Sequence, residues 1–233
     1  MKHALLFLFY ISTISPALHT QNIAISLGGC CTNALMLREY NVRQAAYPFD
    51  WIISPFDSLY QAIADDFKYF LDVAYLHVAS NNCMVIDYYG LYYVHDFPTI
   101  DSPAAIKEHK AVSMRPITPL RNDWEKYLPQ IQEKYQRRIE RFRTALRSKD
   151  HVFLFRSDIS KEQAIRLRDL LETMYPAAQF TLIVLDMSRK KAAQRDLWHE
   201  RAIKQYSCAV KENKLNIMYQ RIFKQLRLIP NSP

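Results

Sequence analysis

The sequence predicts an α/β fold with a central, partly parallel sheet flanked by helices, and a β-hairpin that carries a candidate catalytic base. A short apolar run at 23–27 leads through a glycine turn into a helical segment. Two further apolar runs, at 152–156 and 180–185, are separated by a helical segment. A strand-helix-strand unit of this kind pairs its strands in parallel, with a right-handed crossover.

The first third of the chain is predicted to hold two helices after the opening strand. Residues 31–40 form the first, directly after the glycine turn. The second begins at Ser54, with Ser54 as the N-cap and Pro55 in the first helical position. Its apolar face comprises Phe56, Leu59, Tyr60, Ile63, Phe67 and Phe70.

A tyrosine-rich hairpin is predicted next, with strands at 84–89 and 91–96 on either side of Gly90. His95 then lies on or just past the second strand. Residues 97–121 carry several prolines and no clear period, so we expect a loop.

The remainder of the chain is predicted to be mostly helical around the two buried strands. A capping box at Ser160 opens the helix between them. The helices expected in this part cover 129–147, 160–174, 190–210 and 214–227.

The composition is that of a folded, basic protein. The 233 residues are 49% hydrophobic, which is ample for a packed core, and we expect a single α/β domain over 22–228. The net charge of +8 comes largely from Lys and Arg in 134–149 and 189–195, which we interpret as the solvated faces of helices. No nucleic-acid-binding motif accompanies them, so no specific nucleic-acid partner is expected. The oligomeric state is left open.

The N-terminus has the pattern of a secretory signal peptide. An apolar run at 4–14 is too short to span a bilayer, and small residues allow cleavage after Ala17. We therefore predict a signal peptide over 1–17 and a secreted or periplasmic protein without a stable membrane span. A cytoplasmic protein with an N-terminal extension is the alternative. In an oxidising compartment Cys83 could pair with Cys208, although free thiols fit the sequence equally well.

Glycine is rare in this chain and stands beside the candidate reactive residues. There are only three glycines, against about sixteen at average usage. Gly28-Gly29 directly precedes Cys30-Cys31, and Gly90 lies shortly before His95. Glycine this scarce is expected where the backbone needs a positive φ or a close approach.

A thiol and an imidazole together are the pair that an acyl-transfer enzyme needs. Cys31 is predicted near a helix N-terminus, where unsatisfied N–H groups and the helix dipole favour an anion and lower a thiol pKa. His95 is the best candidate for its base. Gly28 and Gly29 would shape the turn, and backbone N–H groups from Gly29 to Thr32 would bind the oxyanion.

A third group could orient the imidazole, and the sequence leaves Asp50, Asp87 and Asp158 open. Asp96 is disfavoured because adjacent strand residues point to opposite faces. Arg156, at the end of a buried strand, is expected either to bind a substrate carboxylate or to pair with one of these aspartates. No metal-binding spacing and no cofactor fingerprint is present, so neither a metal nor a cofactor is expected.

The region around the cysteine pair resembles a bacterial family of unknown function that is described as papain-like cysteine peptidases. The family signature is a strand ending in SLGxxC, a helix carrying AxxLR, a PFDW segment and a later HDF element. The resemblance covers roughly 22–186. The matching residues are Ser26-Leu27-Gly28-Gly29-Cys30-Cys31, Ala34, Leu37-Arg38, Pro48-Phe49-Asp50-Trp51 and His95-Asp96-Phe97.

This resemblance implies that Cys31 is the nucleophile, Cys30 the residue before it, and His95 the base, with Asp50 structural or orienting. It also implies a peptide or other acyl substrate, and a papain-like α+β fold as the alternative architecture. The chain departs from true papain-type enzymes because it lacks their Cys-Gly-Ser-Cys-Trp context and the upstream glutamine.

We therefore predict a cysteine-dependent hydrolase or acyltransferase with a thioester intermediate. The alternative is a non-catalytic α/β module whose glycine turn and helix N-terminus bind an anion or a glycan, assisted by Arg156. A third possibility is a glycan-modifying enzyme in which carboxylates act and the thiol is incidental.

Overall fold

The computed structural model describes residues 22–29, 31–101, 118–187, 198–207 and 212–230. The strands are β1 (Asn22–Ser26), β2 (His77–Val78), β3 (Val85–Ile86), β4 (Tyr92–Tyr93), β5 (His151–Ser157), β6 (Gln179–Asp186) and β7 (Ile203–Ser207). The α-helices are α1 (Thr32–Glu39), α2 (Phe56–Ala64), α3 (Leu128–Arg147), α4 (Lys161–Met174) and α5 (Glu212–Gln225). Short 3₁₀ turns lie at Val73–Tyr75 and Trp124–Tyr127.

The central sheet is parallel and has the strand order β1-β5-β6-β7. The predicted β5-α4-β6 unit is present, and Val152 lies opposite Phe180 in its register. A smaller antiparallel sheet contains β2, β3 and β4, and β3-β4 is the predicted hairpin. The predicted α/β class is therefore confirmed.

The parallel sheet is covered on both faces, as its apolar strands require. Alternate residues of β5 face opposite sides: Val152 and Leu154 join the core that contains α2, α3 and α4. Phe153 and Phe155 join a second core that contains residues of α1 and α5. Because both faces are closed, an open surface for chemistry is expected at the carboxyl ends of the strands.

The helix predicted over 190–210 is wrong where the structure describes it. Residues Ile203–Ser207 form β7, which pairs in parallel with β6 over Leu182–Asp186. The run Ile-Lys-Gln-Tyr-Ser has no strong propensity of its own, and pairing with the open edge of β6 decides its conformation. Residues 190–197 and 208–210 lie outside the described part of the chain.

The start of α2 also differs from the prediction. Pro55 is the N-cap, and the Ser54 hydroxyl makes no capping bond. Instead it contacts the glycine turn after β1. The helix ends at Ala64, and Phe67 follows with a φ of 61°, so its buried ring belongs to the turn after the helix.

Several expectations fall on residues that the structure does not describe. The signal peptide predicted over 1–17 lies wholly outside the described residues, and so does most of the loop predicted at 97–121. The ends of that loop pair with each other at Thr99 and Leu120. Among the described residues, no helix is long and apolar enough to cross a membrane. The single domain over 22–228 stays a prediction.

Candidate active site

The site lies where β1 ends and α1 begins. Gly28 and Gly29 adopt φ angles of +75° and +89°, which strongly favour glycine. A Cβ at Gly28 would also lie well inside 3.0 Å of the Ser54 hydroxyl oxygen. Gly28 is therefore required both by its backbone conformation and by the packing against it.

Cys31 and His95 come together at this turn, although they are 64 positions apart in the chain. Cys31 is the N-cap residue of α1, and its sulfur lies 3.5 Å from His95 Nε2. His95 follows β4 by two residues. Both residues are partly exposed to solvent.

The glycine turn is held by two buried side chains from other elements. Ser54 Oγ accepts the Gly29 N–H at 2.9 Å. Arg156, which is 3% exposed, donates to the Leu27 carbonyl at 2.8 Å and to Ser54 Oγ and O at 2.9 and 2.6 Å. Such burial does not fit the expected contact between Arg156 and a substrate carboxylate.

The N–H groups of both glycines are already used. The Gly28 N–H donates a hydrogen bond to Ser26 Oγ at 3.2 Å, and the Gly29 N–H donates one to Ser54 Oγ. The expected contribution of Gly29 to an oxyanion site is therefore not supported, and the two glycines shape the turn. Thr32 and Asn33 lie in the first turn of α1, at the positive end of the helix dipole.

Sequence reasoning missed Asn33, which joins three elements beneath the site. Its side-chain amide nitrogen donates to the Gly28 carbonyl at 3.2 Å and to Ser157 Oγ at 3.0 Å. Its Oδ1 accepts the hydroxyl of Tyr219 in α5 at 2.6 Å. Asparagine in a first helical turn is common, so the sequence carries no signal for this role.

Asp50 is fully buried beside Arg43. One carboxylate oxygen accepts from the Arg43 guanidinium at 2.7 Å and from the Tyr47 N–H at 3.0 Å. Burial raises the pKa of Asp50 to about 6, although the positive charge of Arg43 opposes this rise. These contacts tie the PFDW segment to the residues just before it and support the structural role that the resemblance implied for Asp50. An orienting role stays a prediction.

Asp87 and Asp158 also have structural contacts. Asp87 accepts from the N–H groups of Tyr89 and Leu91 and from the Tyr93 hydroxyl, and so holds the hairpin turn. Burial raises the pKa of Asp87 to about 6. Asp158, with a φ of 56°, accepts the Met187 N–H at 3.0 Å and links the ends of β5 and β6.

Asp96 anchors the segment that carries the base. Its carboxylate is buried and accepts from Lys134 at 2.5 Å and from the Tyr135 hydroxyl at 2.7 Å, both in α3. Burial alone would raise the pKa of Asp96, but Lys134 and Arg138 together hold it below its usual range. His95 is thus fixed through its neighbour, whose side chain is committed to α3.

The described residues contain no candidate metal centre. No group of three or more His, Cys, Asp or Glu side chains within them could hold a metal ion. Cys83 is a free, buried thiol that donates to the Asn81 carbonyl at 2.9 Å. Cys208, the partner considered for Cys83, lies outside the described part of the chain.

Fold and site together define an α/β protein with a thiol-imidazole pair at the carboxyl edge of a parallel sheet. A family model described as "Putative papain-like cysteine peptidase" matches residues 22–188. The chain belongs to that family, which confirms the resemblance, and cysteine peptidase is its description at family level. No curated protein and no solved structure matches the chain.

Proposed function

We propose that the protein is a cysteine-dependent hydrolase that acts on a peptide or another acyl substrate through a thioester. The observation that carries this proposal is the 3.5 Å separation between Cys31 Sγ and His95 Nε2. A nucleophile and its base must lie within hydrogen-bond reach for proton transfer, and in a protein without substrate this contact is often longer than in the reacting complex.

In the acylation step, His95 Nε2 takes the thiol proton and Cys31 Sγ attacks the substrate carbonyl carbon. The carbonyl electron pair moves to oxygen and gives a tetrahedral oxyanion. When this intermediate collapses, the bond to the leaving group breaks and His95 returns the proton to that group. A thioester between substrate and Cys31 remains.

In the second step, His95 removes a proton from water as the water oxygen attacks the thioester. Collapse of this intermediate releases the carboxylic acid, and the proton returns to Cys31. Each step therefore uses the same two side chains and needs no cofactor.

The oxyanion would be stabilised at the N-terminus of α1. The helix dipole and the backbone N–H groups around Thr32 would stabilise the negative charge on the substrate oxygen. In well-studied enzymes one such donor contributes about 3–4 kcal/mol to transition-state stabilisation. The second candidate function, anion binding without catalysis, would use the same donors and leave the thiol unreactive.

An electrophilic acyl probe tests the proposal. A peptidyl ketone with a leaving group should label the wild-type protein once, and fragmentation of the labelled peptide should place the adduct on Cys31 rather than Cys30. Cys31→Ser should abolish labelling, and His95→Asn should slow it by at least about a hundredfold. Cys83→Ser is the matched control, because it removes a buried thiol outside the site. Undiminished labelling in Cys31→Ser would exclude the proposal.

A further inference from the structure

We propose that Ser54 and Arg156 are positioning residues for the Cys31 nucleophile, acting through the glycine turn that precedes it. The inference rests on the thiol chemistry proposed above. It assigns to these two side chains a role other than the helix cap and the substrate or ion-pair contact that the sequence suggested.

The Ser54 and Arg156 side chains form hydrogen bonds to the backbone at the two ends of the turn. Leu27, where the chain leaves β1, has its carbonyl bound by Arg156. Gly29, where the chain approaches Cys31, has its N–H bound by Ser54. Arg156 also donates to Ser54 Oγ, so a single connected cluster fixes the entry and the exit of the turn.

The geometry of this cluster requires a guanidinium. Arg156 uses one terminal nitrogen for Leu27 O and Ser54 Oγ and the other for Ser54 O. A planar fork can hold such divergent acceptors, whereas a lysine ammonium is a single point of charge. The cluster formed by Ser54 and Arg156 is also deeply buried, since Ser54 is 1% and Arg156 3% exposed. Burying a charged group is costly and is weak evidence for stabilisation in itself, so the cluster is better explained by the backbone conformation it selects.

The turn before Cys31 depends on contacts from outside it because it contains two glycines. Glycine samples many conformations unless outside contacts restrict it, and both Gly28 and Gly29 stand at positive φ. Cys31 lies two residues beyond Gly29, and its contact with His95 Nε2 spans 3.5 Å. A displacement of about 1 Å in such a pair can cost about a hundredfold in rate.

The test measures the rate of Cys31 alkylation by iodoacetamide as a function of pH in the folded full-length chain. The variants are Ser54→Ala and Arg156→Lys. The matched control is Ser58→Ala, which removes a serine hydroxyl that bonds the carbonyl of the other turn glycine, Gly90, at 3.3 Å. Thermal unfolding of each variant establishes that it is folded at the assay temperature.

We expect Ser54→Ala and Arg156→Lys to slow alkylation near pH 6 by at least about tenfold, and to move the pH profile towards that of free cysteine. Ser58→Ala should keep the wild-type profile. A purely structural role would lower the unfolding temperature without moving the profile. Wild-type profiles in the folded variants would therefore overturn the inference, and Arg156→Lys decides alone if Ser54→Ala does not fold.

Failure of the underlying thiol chemistry is visible separately. In that case the wild-type protein itself alkylates like free cysteine, and His95→Asn changes nothing. That result removes both proposals, whereas an activated wild-type thiol with unaffected Ser54 and Arg156 variants removes only this one.

Discussion

The Tyr219 hydroxyl donates a hydrogen bond of 2.6 Å to Asn33 Oδ1, which ties α5 to the first turn of α1. Tyr219 is fully buried, and Asn33 in turn holds the carbonyl of Gly28. The last described helix of the chain therefore supports the turn before the nucleophile, although α5 lies beyond the matched family region.

Removing this hydroxyl should destabilise the protein. Tyr219→Phe leaves a buried acceptor with one partner fewer, so we expect the free energy of unfolding to fall by about 1–2 kcal/mol in urea denaturation. Tyr40→Phe is the matched control, since its hydroxyl also joins α1 to α5 but bonds the exposed Asn216 carbonyl. It should cost less than about 0.5 kcal/mol. Equal losses in the two variants would contradict the role given to Asn33.

The two glycine turns should differ in their tolerance of a side chain. Gly28→Ala combines a positive φ with a severe overlap against Ser54, and we expect it to cost about 3 kcal/mol or more. Gly90→Ala has a similar φ of +76° but a Cβ 3.3 Å from the Ser58 hydroxyl, so it should cost about 1 kcal/mol. Chemical denaturation measures both. A milder loss in Gly28→Ala than in Gly90→Ala would show that the packing around the first turn is misassigned.

The buried carboxyl of Asp50 predicts an unusual pH dependence. Its pKa is about 6 in the folded protein, against about 3.9 for an unfolded aspartate, so the folded state binds this proton more tightly. The resulting stability is fully present below about pH 4 and is lost as the pH rises through about 6. Asp50→Asn has no titrating carboxyl at this position and therefore lacks this pH-dependent contribution to the free energy of unfolding. Its deficit relative to wild type should shrink by about 2–3 kcal/mol between about pH 4 and pH 7, as urea denaturation across this range would measure.

Asp96 should show the opposite trend, because its pKa is lowered in the folded protein. Its contribution is present above the unfolded pKa of about 3.9 and is lost as the pH falls through the folded value. The deficit of Asp96→Asn should therefore be largest at neutral pH and shrink on acidification. Parallel trends for the Asp50 and Asp96 variants would refute the assigned electrostatics.

Much of the fold follows from local signals in the sequence. The capping box at Ser160 opens α4 as predicted, because the reciprocal bonds with Gln163 involve only residues three apart. The buried strands β5 and β6 are continuous apolar runs, which is typical of strands covered on both faces. By contrast, β7 depends on the edge that β6 offers, and no pattern within its five residues shows this.

The candidate site likewise has a part that the sequence predicts and a part that it does not. The residue types of Cys31 and His95 and the rare glycines nearby predict this pair, and the structure places the two side chains in contact. The contacts of Ser54 with Gly29 and of Arg156 with Leu27 could not be predicted, because they join segments 25 and 129 positions apart. Ser54 was misassigned as a helix cap because Ser-Pro is also a common start of a helix.

The reactivity of Cys31 towards iodoacetamide at about pH 6 tests the central claim most directly, with the adduct located by peptide mapping. If His95 activates the thiol, Cys31 should react at least about tenfold faster than free cysteine at this pH, and His95→Asn should remove the difference. Free cysteine treated under the same conditions gives the unactivated reference. A wild-type Cys31 that reacts no faster than free cysteine, with a rate unchanged in His95→Asn, would contradict the account.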